Sequence, residues 1–151
     1  MVSSTIKELI MDLFQELRGK RTLVIDDDEW IRDSLGLFFQ SEGCSLVALE
    51  TAEEAIEALR NQSYDVIIAD YRLPGMNGLE FFKRIDGTYP APIKILITAY
   101  GNKKVLSEAK KLGIDDFVNK PFTMETIKAS LSKLIEDHER EDVGTSGKHL
   151  G

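Results

Sequence analysis

The run Val66-Ile67-Ile68-Ala69-Asp70 restricts the fold more than any other stretch of this chain. Four consecutive apolar residues leave no polar face, so the strand they form is buried on both sides, as in parallel sheets covered by helices. The run then ends on a carboxylate. In open α/β sheets ligands collect at the carboxyl ends of the strands. The residues that follow, Tyr71-Arg72-Leu73-Pro74-Gly75-Met76-Asn77-Gly78, are turn formers that cannot extend the strand. Asp70 is thereby placed at a mouth.

The chain repeats this unit. Leu23-Val24-Ile25 runs into Asp26-Asp27-Asp28, and Ile31, Leu35, Phe38 and Phe39 then mark one face of a helix that closes at Gly43. Leu46 to Leu49 is a second strand, and Thr51 with Glu54 is a capping box for a helix burying Ala55, Ala58 and Leu59. After the Val66 strand, Leu79, Phe82 and Ile85 recur at helical spacing. Pro90 and Pro92 forbid helix, and Ile93 to Ile97 is a fourth strand ending at Thr98. Gly101-Asn102 opens a helix with Val105, Leu106 and Ala109 inward. Ile114 to Val118 is a short fifth strand that ends on Asn119-Lys120-Pro121, and Thr123 caps a helix carrying Met124, Ile127, Leu131, Leu134 and Ile135. Because parallel crossovers are right-handed, five such units predict a doubly wound α/β fold. The expected sheet is five-stranded and parallel, in the flavodoxin-like order 2-1-3-4-5.

Outside this body lie two appendages. In residues 1–19, Ile6, Leu9, Ile10, Leu13, Phe14 and Leu17 form an amphipathic stripe begun by the capping pair Thr5 and Glu8. The mixed charges of its polar face disfavour a membrane surface, leaving its own domain or a second copy as cover. The second option implies a homodimer, with Ile127, Leu131 and Leu134 as further seam residues. Residues 20–138 form the globular domain, and 139–151 read as a flexible tail of acidic and then small polar residues.

At 151 residues and 42% hydrophobic content the chain suits one core. A net charge of -7 argues against direct nucleic-acid binding. No apolar run approaches membrane-spanning length and no secretion signal opens the chain, so a cytoplasmic location is expected. The single cysteine, Cys44, reads as a buried small hydrophobe.

Strand one delivers Asp26 and Asp27, strand three Asp70, strand four Thr98 and strand five Lys120, all to one edge. Three adjacent carboxylates repel one another unless a cation joins them. Oxygen donors without His or Cys select a hard ion such as Mg2+. A carboxylate beside Mg2+, a lysine and a hydroxyl is a plausible phosphoryl acceptor.

With these landmarks the chain resembles the receiver domain of two-component response regulators, the CheY-like superfamily. The resemblance rests on Leu23-Val24-Ile25-Asp26-Asp27-Asp28, Ile68-Ala69-Asp70-Tyr71-Arg72-Leu73-Pro74-Gly75-Met76-Asn77-Gly78, Ile97-Thr98-Ala99 and Val118-Asn119-Lys120-Pro121-Phe122, in order across roughly residues 20–136. It implies that Asp70 accepts a phosphoryl group from a histidine kinase or histidine phosphotransfer protein. It implies a metal site of Asp26, Asp27, Asp70 and the backbone carbonyl of Arg72. It further implies that Thr98 and Lys120 contact the phosphoryl group, that Lys120-Pro121 is cis, and that Phe117 moves with Thr98 as the switch that alters binding of a downstream protein. Arg72 and Tyr100, two residues beyond Asp70 and Thr98, occupy the positions that border the phosphoryl group and set its lifetime.

Plainer readings stand beside these. Asp28 suits a solvated helix start, Asp115 and Asp116 suit the flanks of a strand, Phe117 suits the core, and neither His138 nor His149 is placed to carry phosphate. As functions, a switch without turnover is expected. A Mg2+-dependent hydrolase with an aspartyl-phosphate intermediate is the alternative, suggested by Asp28 two residues after Asp26. An unphosphorylated docking module is the third. The amino-terminal helix departs from the family pattern.

Overall fold

The computed structural model describes residues 13–99 and 103–150, with side-chain surroundings through 138. A helix over 13–18 (α1) precedes five strand-helix units. These are β1 (Arg21–Ile25), α2 (Glu29–Ser41), β2 (Ser45–Leu49), α3 (Ala52–Asn61), β3 (Val66–Asp70), α4 (Gly78–Arg84), β4 (Ile93–Thr98), α5 (Lys103–Lys111), β5 (Asp116–Asn119) and α6 (Met124–Leu150). All strand pairs are parallel, and the sheet order is β2-β1-β3-β4-β5, as the sequence predicts.

Period-two alternation along buried strands builds two cores. Val24, Val66, Ile68, Ile95 and Ile97 pack beneath α1, α2 and α6, while Leu23, Ile25, Ile67, Ala69 and Leu96 pack beneath α3, α4 and α5. Each fully buried Phe or Leu in these layers contributes about 1.5–3 kcal/mol relative to exposure. The expected helix signals operate here. Asp28 caps α2 by accepting from the Trp30 N–H, and Thr51 and Glu54 form the reciprocal capping box of α3.

Three features differ from expectation. β5 begins two residues later than predicted, because Ile114 donates back to the Ala109 carbonyl across the turn at Gly113 (φ +74). Asp115 and Asp116 do more than flank that strand: Asp115 accepts from the Lys94 N–H at 2.8 Å and Asp116 from Ser130 Oγ at 2.6 Å. Third, α6 continues to Leu150, so backbone over 139–150 is helical where composition predicts a flexible tail. The stretch 136–142 has no Gly or Pro and is rich in Glu, which favours helix over coil.

The described part of the first helix is covered by its own domain. Leu13, Phe14 and Leu17 are buried with Phe39, Cys44, Leu131, Leu134 and Ile135, and Arg18 Nε donates to the Glu42 carbonyl at 2.8 Å. Ile127, Leu131 and Leu134, the other candidates for a dimer seam, are likewise spent within the chain. Thr5, Ile6, Glu8, Leu9, Ile10, Tyr100, Gly101 and Asn102 lie outside the described residues.

Candidate functional site

Strand register brings the acidic residues together. Ile25 pairs with Ala69, so the next residue on each strand, Asp26 and Asp70, emerges side by side at the carboxyl edge. On the other flank Thr98 pairs with Asn119, which places Lys120 immediately beyond it. Its N–H donates to the Thr98 carbonyl at 2.8 Å, and Lys120-Pro121 is cis, as the resemblance implied.

Side chains separated along the chain converge there. Asp26, Asp27 and Asp70 each offer an oxygen within 4.8 Å of the others, with Asp26 and Asp70 buried and Asp27 exposed. Lys120 Nζ lies 2.8 Å from Asp70 Oδ2 and 3.1 Å from Asp26 Oδ2. Nζ also donates to Asp26 Oδ1 at 3.5 Å, while Asp26 Oδ2 itself has no hydrogen-bond partner among the described residues. Asp26 Oδ1 accepts from the Asp28 N–H at 2.9 Å, and Asp70 Oδ1 accepts from the Arg72 N–H at 3.3 Å. Thr98 Oγ1 is buried and also has no partner among the described residues.

Electrostatics follow from this crowding. Burial pushes the Asp26 and Asp70 carboxyls above the usual carboxylate range, and the Asp28 N–H and Lys120 offset this only in part. Burial works against the Lys120 ammonium too, yet the hydrogen bond to Asp70 and the charges of both aspartates outweigh it and raise its pKa. Two buried carboxylates therefore share one ammonium, a charge deficit that a hard cation on the same oxygens would correct. The all-oxygen donor set fits Mg2+.

Other predicted positions fall around this cluster. Phe117 is partly buried against the α3–α5 core. The Arg72 side chain is exposed at the mouth, and only its backbone N–H touches Asp70. Asp28 stands outside the carboxylate group, its Oδ1 being taken up by the α2 cap.

Three features were not read from sequence. Arg32 Nη1 holds the Asp26 carbonyl at 2.9 Å, one turn into α2. The Glu53 Oε1 atom accepts from the Met76 N–H at 3.0 Å, tying α3 to the loop after Asp70. Neither leaves a local pattern beyond a charge on a helix. The third is a groove of about 770 Å³ lined by Trp30, Ile31, Phe122 and Met124, with Asp28 and Lys120 on its side toward the carboxylates.

Known proteins share this arrangement of sequence and fold. The family model described as the response regulator receiver domain matches residues 22–132. The transcriptional regulatory protein FixJ of Bradyrhizobium diazoefficiens is 35% identical over 117 residues, which cover 77% of this chain and 57% of that protein. A cyclic di-GMP phosphodiesterase of Thermotoga maritima is 28% identical over 115 residues, 76% of this chain and 31% of that protein. The chain thus spans about a third to three fifths of these curated relatives. Among solved structures, a CheY-like receiver domain protein from Methanospirillum hungatei matches with a TM-score of 0.76 and 26% identity, covering 81% of this chain and 98% of that one. Full-length FixJ from B. japonicum matches at 0.69 and 32%, covering 78% and 58%. With the model match spanning most of its length, the chain belongs to the response regulator receiver domain family.

Proposed function

We propose that this chain is the phosphoacceptor receiver of a two-component response regulator, with Asp70 as the accepting residue. The observation that carries this reading is the meeting of Asp26, Asp27, Asp70 and Lys120 at one sheet edge. In the transfer an Asp70 oxygen bonds to phosphorus as the bond to the donor imidazole nitrogen breaks, and the electron pair leaves with that nitrogen. Asp26, Asp27, Asp70 and the Arg72 backbone carbonyl are the residues that would hold Mg2+. When bound, the ion neutralises charge on the phosphoryl oxygens. Lys120 pairs with the phosphoryl group, and the unpartnered Thr98 hydroxyl turns to donate to it. Phe117 shifts as Thr98 moves, which alters the face read by a downstream protein.

The donor is a histidine kinase or histidine phosphotransfer protein. To deliver phosphate to Asp70 it must cover the mouth, and the apolar groove at Trp30, Ile31, Phe122 and Met124 adjoins Lys120 there. The chain acts as a switch without turnover and not as an enzyme, in the cytoplasm. No described helix is long and apolar enough to cross a membrane. The hydrolase alternative needs Asp28 as a second acid, and the engagement of Asp28 Oδ1 by the Trp30 N–H weighs against it.

The test is incubation with acetyl phosphate and Mg2+, read by intact mass. One phosphoryl group on the wild type, none on Asp70→Asn and none with chelator support the reading. Continuous phosphate release supports the hydrolase, and full cellular activity of Asp70→Ala supports the docking module.

A further inference from the structure

The segment 71–77 joins Asp70 to α4 and carries Arg72, the one metal-site residue that contributes through its backbone. Its base is closed by the Tyr71 N–H on the Ile97 carbonyl at 2.7 Å and the Gly78 N–H on the Tyr71 carbonyl at 2.9 Å. Within the loop, the Arg72 N–H reaches Asp70 Oδ1 and Leu73 is buried in the α3–α5 core. The apex is held from outside. Glu53, in the first turn of α3, accepts from the Met76 N–H at 3.0 Å across 23 residues of chain. Gly75 makes the approach feasible: at φ +73 it adopts a conformation other residues rarely take, and a Cβ there would come within 3.0 Å of Glu53 Oε1.

We infer that Glu53 is a positioning residue for the cation site, fixing the β3–α4 loop so that the Arg72 carbonyl stays directed at the ion beside Asp70. A backbone carbonyl has no rotamer of its own, and its direction is that of the peptide plane between Arg72 and Leu73. With the apex tied to α3, that plane is bounded by the Asp70 contact on one side and by Leu73 and Met76 on the other. With the apex released, the loop keeps its two base hydrogen bonds, the Asp70 contact and Leu73, but loses the tie that holds Met76 to α3. The carboxylate suits the task, since it gives a charge-assisted bond to a backbone N–H and its place at a helix N-terminus favours the ionised form. Met76 and the Glu53 backbone N–H accordingly hold the Glu53 carboxyl below the usual range.

This inference rests on the receiver reading, and the experiment separates the two. Wild type, Glu53→Ala and Glu53→Gln are titrated with Mg2+ alone, following emission from Trp30, the single tryptophan, or heat. Melting temperature and hydrogen exchange at the Met76 amide are measured on the same samples. Glu53→Ala is expected to raise the Mg2+ dissociation constant roughly threefold to tenfold and to speed Met76 exchange, with little change in melting temperature. Glu53→Gln retains an acceptor oxygen and is expected to recover most of the affinity. Unchanged Mg2+ affinity in Glu53→Ala overturns the pin and leaves the receiver reading intact. Equal weakening in both variants also overturns it, because lost charge would then explain the effect. A wild type that binds no Mg2+ overturns both.

Discussion

Fifty residues of chain separate Asp70 from Lys120, yet Nζ of the lysine lies 2.8 Å from Oδ2 of the aspartate. The same ammonium lies 3.1 Å from Asp26, so it is the countercharge for two buried carboxylates. A cation bound to those oxygens would sit beside a positive charge. Replacing it, as in Lys120→Met, is expected to tighten Mg2+ binding. Unit charges 4 Å apart near a protein surface repel by about 4 kcal/mol, and a fraction of that gives roughly a tenfold gain. Without metal, the same variant leaves the carboxylates facing each other and should lose about 3–5 kcal/mol of stability. Calorimetric titration and urea unfolding in chelator read the two effects, and an unchanged affinity would place the lysine away from the ion.

Gly78 is required where α4 meets the end of β3. A Cβ on this residue would collide with the backbone carbonyl of Asp70 and press on Leu96 at 3.2 Å. Backbone cannot rotate aside as a side chain can, so Gly78→Ala must displace the helix start or the strand end. A loss of about 2–4 kcal/mol is expected in urea unfolding, together with slower labelling of Asp70 by acetyl phosphate. Wild-type stability in this variant would show that α4 does not pack so closely.

Much of this architecture is legible in the sequence because each signal is local. Val66-Ile67-Ile68-Ala69 announces a doubly covered strand by composition alone, and the acids at the ends of β1 and β3 follow from counting along it. Right-handed crossovers predict a doubly wound sheet, the flavodoxin-like pattern supplies its order, and the convergence of Asp26, Asp70, Thr98 and Lys120 follows from that order. Contacts between distant surface groups left no trace. Glu53 reads as an ordinary first-turn acid until α3 and the β3–α4 loop are set side by side, and Arg32 reads as a solvated helix residue until α2 folds over Asp26. The length of α6 was missed for a different reason: polar composition argues against a core, which is not an argument against helix.

The first helix is an integral layer of this receiver. Leu17 is 1% exposed and packs beneath α2 and α6, so Leu17→Ala is expected to cost about 2–5 kcal/mol. Cys44 reports on the same contact, its Sγ lying 3.8 Å from the Phe14 carbonyl. Burial raises the thiol pKa, with Arg18 only partly opposing, and the thiolate is the species that reacts. Iodoacetamide at mildly alkaline pH should therefore leave Cys44 unmodified in the intact chain and alkylate it once residues 1–18 are deleted. Equal rates would mean the helix does not shield this thiol. Light scattering on the same pair reads self-association, since a seam built from this helix requires the molar mass to fall on deletion.

Arg72 and Tyr100 are predicted to make the phosphoryl state long-lived. Water must approach phosphorus opposite Asp70 and give up a proton as it attacks. The Arg72 side chain is exposed, and a guanidinium offers donors but no acceptor for that proton. A tyrosine at position 100 carries a bulky ring and no carboxylate to serve as base. Arg72→Glu combined with Tyr100→Ala removes that ring and supplies a carboxylate base, so loss of label from phosphorylated protein should quicken by roughly tenfold to a hundredfold. The single variants divide the effect, with Arg72→Glu reporting the base and Tyr100→Ala the access. Loss of label at the wild-type rate in the double variant removes both residues from control of the lifetime.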